Sequence, residues 1–167
     1  MPRDFIRSAV FGDLKHAGLK SAYAQAYLDW RDAHTPVGLP PRSMIGPSWL
    51  GRLVSSSLLL QVEGDDLRHR ICGELFLNRN GRFDPTGLLL SDMAKSRPVA
   101  RLLLPNYQRV LREAVPALIG LRYQNVRQQV RDCDLLVLPF GPSPDGGRDV
   151  AFVLSIYHFL PTTAEGL

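Results

Sequence analysis

Residues 67–87 read Leu67-Arg-His-Arg-Ile-Cys-Gly-Glu-Leu-Phe-Leu-Asn-Arg-Asn-Gly-Arg-Phe-Asp-Pro-Thr-Gly87. The opening residues alternate. Arg68 and Arg70 share one side and Leu67, His69 and Ile71 the other, which is the period of a strand. Gly73 ends it and opens a short apolar segment, Leu75-Phe76-Leu77, and Gly81, Pro85 and Gly87 punctuate the next stretch. A strand that feeds short helical turns, folded back over a sheet, builds the wall of a small pocket. Such a wall suits a sensory or interaction module better than a catalyst.

Working outward, Ser57–Glu63 reads as a strand and Gly64-Asp65-Asp66 as a turn, so 57–72 is a hairpin. Upstream, Pro47 to Leu53 reads as a helical turn carrying Trp49, Leu50 and Leu53, behind a Pro-stiffened linker from Gly38 to Ser43. Before that, Leu19, Ala22, Tyr23, Ala26, Tyr27 and Trp30 recur at helical spacing, and Thr35-Pro36 closes that helix. Its aromatic face covers either the domain's own sheet or a second copy of the chain. As a dimer interface it would use Leu19, Tyr23, Ala26, Tyr27 and Trp30. Residues 1–17 show no period; Phe5, Ile6, Val10 and Phe11 read as a short docked helix or a loose terminus.

Downstream, Glu74 to Met93 predicts two or three short helical turns. Ser96 with Pro98 marks the start of a longer helix whose stripe is Val99, Leu103, Tyr107, Val110, Leu111 and Ala114. Pro105 should kink or split it. After Pro116 the chain reads as strands at 117–123, 130–140 and 150–159, with the Gly- and Pro-rich loop 141–147 before the last. That last strand is apolar on both faces, Val150, Phe152, Leu154 and Ile156 against Ala151, Val153 and Tyr157, which places it inside a covered sheet. The sum is an α+β sandwich with an antiparallel sheet.

In this order the residues resemble a PAS domain, and more narrowly the small stand-alone PAS-like proteins of alphaproteobacterial type. The resemblance rests on Trp30-Arg31, Leu39-Pro40-Pro41-Arg42 with Pro47, Arg70-Ile71-Cys72-Gly73, Thr86-Gly87, Pro116, and Leu135-Leu136-Val137-Leu138-Pro139-Phe140. His69, Glu74 and Asp84-Pro85 depart from the family pattern, all on the pocket side. The resemblance implies a five-stranded antiparallel sheet in the order 2-1-5-4-3, short helices on one face, an N-terminal amphipathic helix, and a cavity between sheet and helices. It divides the chain into an N-terminal extension (1–17), a helical cap and linker (18–54), a PAS core (55–160) and a C-terminal tail (161–167). It implies a non-catalytic sensory or signalling module that binds a small ligand or a protein partner, acts through a separate output protein, and forms a homodimer.

The expected cavity lining is Phe76, Phe83, Tyr107, Leu121, Leu135, Val137, Phe152 and Leu154, and a filled core would use the same residue types. Arg42 and Arg70 read as structural cations. Arg70 beside a turn can pair with Asp92 or Glu74 and tie the helical cap to the sheet, or else bind an anionic ligand. Haem and flavin are not expected. None of His16, His34, His69 and His158 falls in the 74–114 region, and Cys72 lacks the polar surroundings of a reactive thiol. Cys72 and Cys133 read as buried, reduced thiols, with a disulfide or a shared metal as the alternatives, and no metal site is expected.

No nucleophile elbow, phosphate loop or metal-ligand spacing is present, so an enzyme is not expected. The alternatives are a small α+β enzyme acting on an apolar acid and a ligand-free scaffold; a small apolar or acidic molecule is the ligand to look for. The net charge of +4 is dispersed, with no basic stripe, which argues against nucleic acid. No apolar run reaches the length of a membrane span, and the basic opening residues are interrupted by Asp4 and Asp13 with no apolar core after them, so a signal peptide is not expected and the cytoplasm is the expected location.

Overall fold

The structure, a computed structural model, describes residues 3–161. All but the first residue of the expected tail, 161–167, lies outside the described residues. The elements in chain order are β1 (Phe5–Phe11), α1 (Ser21–Asp32), α2 (Pro47–Leu50), β2 (Ser57–Glu63), β3 (Asp66–Cys72), α3 (Glu74–Arg79), α4 (Leu90–Ala94), α5 (Pro98–Glu113), β4 (Ala117–Gln124), β5 (Val130–Phe140) and β6 (Phe152–Leu160). Short 3₁₀ turns at Arg42–Met44 and Gly51–Ser56 flank α2.

The sheet corrects the sequence-based expectation. It has six strands in the order β1-β4-β5-β6-β2-β3, not five in the order 2-1-5-4-3. The added strand is β1, in the segment that showed no period. Its pairing with β4 slips between Ile6 and Ser8, where Arg7 is bulged out. A bulge shifts side-chain parity, so Ile6 and Phe11, five residues apart in sequence, both pack on the same core. The two-residue alternation is therefore erased from the sequence. Arg7 crosses β4 at Gly120, where an added Cβ would meet Ser8 Oγ at 2.7 Å, and donates to the Cys133 carbonyl on β5 at 2.9 Å.

β6 pairs with β5 along one edge and β2 along the other, and its two faces pack into the two core clusters. One face of the sheet carries α3, α4 and α5 over a core that includes Leu60, Phe76, Leu103, Tyr107, Ile119 and Leu135. The other carries α1 over Leu136, Leu138, Phe140, Leu154 and Ile156. The aromatic face of α1 is fixed there. Ala26, Tyr27 and Trp30 are buried, Trp30 Nε1 donates to the Pro139 carbonyl at 2.7 Å, and Tyr23 Oη donates to the Tyr157 carbonyl at 3.2 Å. Leu19 and Tyr23 pack at the margin of the same cluster. Within one chain this face covers the chain's own sheet, the first of its two readings. α5 runs unbroken through Pro105, and the Asn106 side-chain amide donates to the Leu102 carbonyl in the same turn, 2.9 Å away.

Candidate functional site

A cavity of about 50 Å³ lies between the sheet and α3–α5. Its apolar wall comes from Leu58 and Leu60 on β2, Phe76 on α3, Leu90 and Met93 on α4, and Leu103 on α5. Its polar wall comes from strands whose parity points inward: His69 on β3, Tyr123 on β4 and Tyr157 on β6, with Tyr107 facing them from α5. Arg97, Val99, Gln124 and Asn125 stand at the mouth, where the cavity meets an open groove of about 660 Å³ between the start of α5 and the end of β4.

The hydrogen-bonding state of these groups differs. Tyr107 Oη and Ser155 Oγ lie 2.5 Å apart and satisfy each other. His69 Nδ1 lies 2.9 Å from the Leu88 carbonyl, which can only accept, so Nδ1 carries the proton and Nε2 is a bare acceptor. The Tyr123 hydroxyl is buried and among the described residues has no partner. Among the described residues neither His69 Nε2 nor the Tyr157 hydroxyl is hydrogen-bonded. A buried polar atom without a partner is unusual enough to mark a place where something else binds.

Electrostatics set the protonation states. Burial holds His69 below its ordinary range, against the opposing pull of its bond to Leu88. Burial likewise pushes Tyr107, Tyr123 and Tyr157 well above theirs, so all three stay neutral hydroxyls. The His69 backbone N–H also bonds Leu88, and Gly87 bonds back to the His69 carbonyl, so the polar wall is tied to the 85–89 segment.

Of the residues expected from the sequence, Phe76 and Tyr107 line the cavity. Leu121, Leu135 and Val137 are on the same face but packed solid in the core. Phe152 and Leu154 lie on the opposite face, against the cluster under α1. Phe83 sits outside, beneath the Arg97 guanidinium at 4.1 Å. Arg42 donates to the Ile45 carbonyl and lies 5.6 Å over Phe152, far from the cavity wall in the fold. Arg70 bonds Gln61 and approaches Glu63 within the hairpin rather than pairing with Asp92 or Glu74, so that expectation is corrected. The cap is tied to the sheet by other residues: Arg68 to the Gly87 carbonyl at 2.8 Å, and Asp66 accepting from the Ser91 N–H and hydroxyl. His69, Tyr123 and Tyr157 were missed as lining residues. Their signal was the polar end of an inward-facing aromatic or imidazole ring at strand parity with buried neighbours.

No family model matches the sequence, and no curated protein matches it either. The solved structure of an RNA-binding light-oxygen-voltage receptor superposes with a TM-score of 0.50 at 15% identity, over 75% of this chain and 37% of that one. The fold is of the PAS/LOV type. A second solved structure, a substituted form of RsLOV, gives a TM-score of 0.42 at 16% identity, over 67% of this chain and 66% of that one. The chain thus spans under two thirds of the length of each. The likeness is one of fold alone.

The RNA-binding receptor that superposes at a TM-score of 0.50 is a light-oxygen-voltage protein, and this overturns the expectation that flavin is unlikely for such a fold. The fit of the residues is a separate question. The cavity volume, about 50 Å³, is about a third of the roughly 150 Å³ that admits a benzene. Neither thiol lines it. Cys133 is buried in β5, and Cys72 accepts from the Thr86 hydroxyl at 3.5 Å while burial pushes its pKa up to about 11, which keeps it a thiol. Neither of the two thiols therefore stands at the cavity wall.

Proposed function

We propose that this chain is a PAS-type sensory module without catalytic activity. It takes a small molecule into the cavity between the sheet and α3–α5 and transmits that event to a separate output protein. The observation that carries the reading is the buried hydroxyl of Tyr123, without a partner among the described residues, in a cavity whose opposite wall is apolar, accompanied by the bare Nε2 of His69. A ligand packed against His69 contacts the ring whose Nδ1 holds Leu88. Occupancy of the cavity is thereby coupled to the surface segment 85–89, where Leu88 is exposed.

The enzyme alternative required an Arg or His meeting an Asp inside the pocket. His69 is held by a backbone carbonyl instead, and Arg97 lies over Phe83. Self-association is not needed for this role, and the α1 face from which it was read is packed inside the chain.

Native mass spectrometry of the purified protein tests the reading. A species heavier than the chain by one small organic molecule, lost on denaturation, is expected. The bare chain mass, together with no small molecule from a fragment set shifting the amide resonances of Leu58, Phe76 and Tyr123, would remove it.

A further inference from the structure

The cavity opens at an uncompensated positive end. α5 begins at Pro98 with no side chain capping its first turn and no acidic residue in that turn. The first N–H groups of a helix have no intrahelical partner and favour negative charge. Arg97, the residue just before the helix, lines both the cavity and the groove, and among the described residues it pairs with no carboxylate. The carboxylate nearest this mouth, Asp4, borders only the groove and is engaged by the Gln124 N–H at 3.1 Å.

Tyr123 on β4 lines the same cavity as Arg97; it is 2% exposed, and among the described residues its hydroxyl has no partner. A neutral phenol in this position is a donor waiting for an acceptor. Behind it the walls are apolar, and the volume of about 50 Å³ leaves room for only a few methylene groups.

From this juxtaposition we propose that the ligand is a short aliphatic carboxylic acid. Its tail fills the cavity and its carboxylate sits at the start of α5, between Arg97 and the Tyr123 hydroxyl. This assignment rests on the ligand-pocket reading and names the class of ligand. An amine is disfavoured by Arg97 and the helix end. A neutral molecule of the same length would leave both positive groups without their counter-charge. A bulky aromatic acid exceeds the volume.

The test is a calorimetric titration of the full chain, stripped of any bound molecule, with butyrate, butan-1-ol and inorganic phosphate in parallel. Butyrate is expected to bind, with butan-1-ol at least about tenfold weaker and phosphate alone silent. Tyr123→Phe is expected to weaken butyrate about tenfold or more, with an unfolding midpoint equal to or above that of the parent, because it deletes an unpaired buried hydroxyl and keeps the ring. Arg97→Gln is expected to weaken butyrate and to flatten the salt dependence of what binding is left.

Binding of butan-1-ol as tight as butyrate would overturn the acid class while leaving a ligand pocket in place. So would failure of both when the native mass spectrum shows another molecule bound. Failure of both with a bare mass would remove the pocket reading as well. Unchanged butyrate binding by Tyr123→Phe would overturn the assignment of the carboxylate to this hydroxyl.

Discussion

Tyr107 and Ser155 join α5 to the middle of the sheet through a single hydroxyl pair, 2.5 Å apart and buried on both sides. Tyr107→Phe strands the Ser155 hydroxyl, and Ser155→Ala strands that of Tyr107. Leaving a buried hydroxyl without a partner costs about 1–3 kcal/mol, so each single change should destabilise by about 2 kcal/mol. Removing both partners leaves nothing stranded and should cost about 1 kcal/mol or less, although the singles sum to about 4 kcal/mol. The coupling is then about 3 kcal/mol, at the upper end of what contacting pairs show. Urea unfolding followed by the fluorescence of Trp30 and Trp49 measures it. With a slope of roughly 2 kcal/mol per molar urea, each single variant should move the midpoint down by about 1 M and the double variant by less than either. A double variant whose loss equals the sum of the singles would show that these hydroxyls do not satisfy each other.

Gly73→Ala should cost about 2–3 kcal/mol or prevent folding, read from the same urea curves, because an added Cβ would fall far inside contact distance of the Ser55 and Val54 carbonyl oxygens, both backbone; a midpoint within error of the parent would contradict that packing. His69 is held neutral by burial, below its ordinary value of 6.5, so the unfolded chain takes up the proton first. Its contribution to stability is full above pH 6.5 and falls as the pH drops towards the folded value, and His69→Gln should flatten the loss between pH 7 and pH 5. The same loss in the variant would place the acid sensitivity elsewhere. Removing residues 1–11 bares the edge of β4, so the unfolding midpoint should drop and sedimentation should become concentration-dependent; a monomer of parental stability would show that β1 contributes nothing.

The hairpin β2–β3 was legible because Gly64-Asp65-Asp66 separates two alternating runs, and β5 because its apolar residues are unbroken from Leu135 to Phe140. β1 was not legible. The bulge at Arg7 breaks the alternation that would have announced a strand, and the partner that pins it, β4, is more than a hundred residues away in sequence. The cavity was half legible. Phe76 and Tyr107 were found from helical stripes. On β6 both faces are apolar, so parity gives no reason to prefer Tyr157 over Phe152 and Leu154, and the two β6 residues expected in the lining lie on the side that α1 covers. Ser155, polar in the middle of that strand, was the clue, but its meaning depends on Tyr107 from another element. The aromatic face of α1 fitted a dimer and an intramolecular cover equally well, since both bury Tyr and Trp; the choice depended on the depth of the sheet groove around Pro139.

A sensory role for this chain requires that the cavity be a ligand site. A crystal structure of the protein as purified, without added ligand, tests this most directly. Density for one small molecule is predicted, with an acceptor atom within hydrogen-bond distance of Tyr123 Oη and its apolar part between Phe76 and Leu103. Side chains collapsed to fill the space, or ordered waters alone bridging the hydroxyls of Tyr123 and Tyr157, would contradict it.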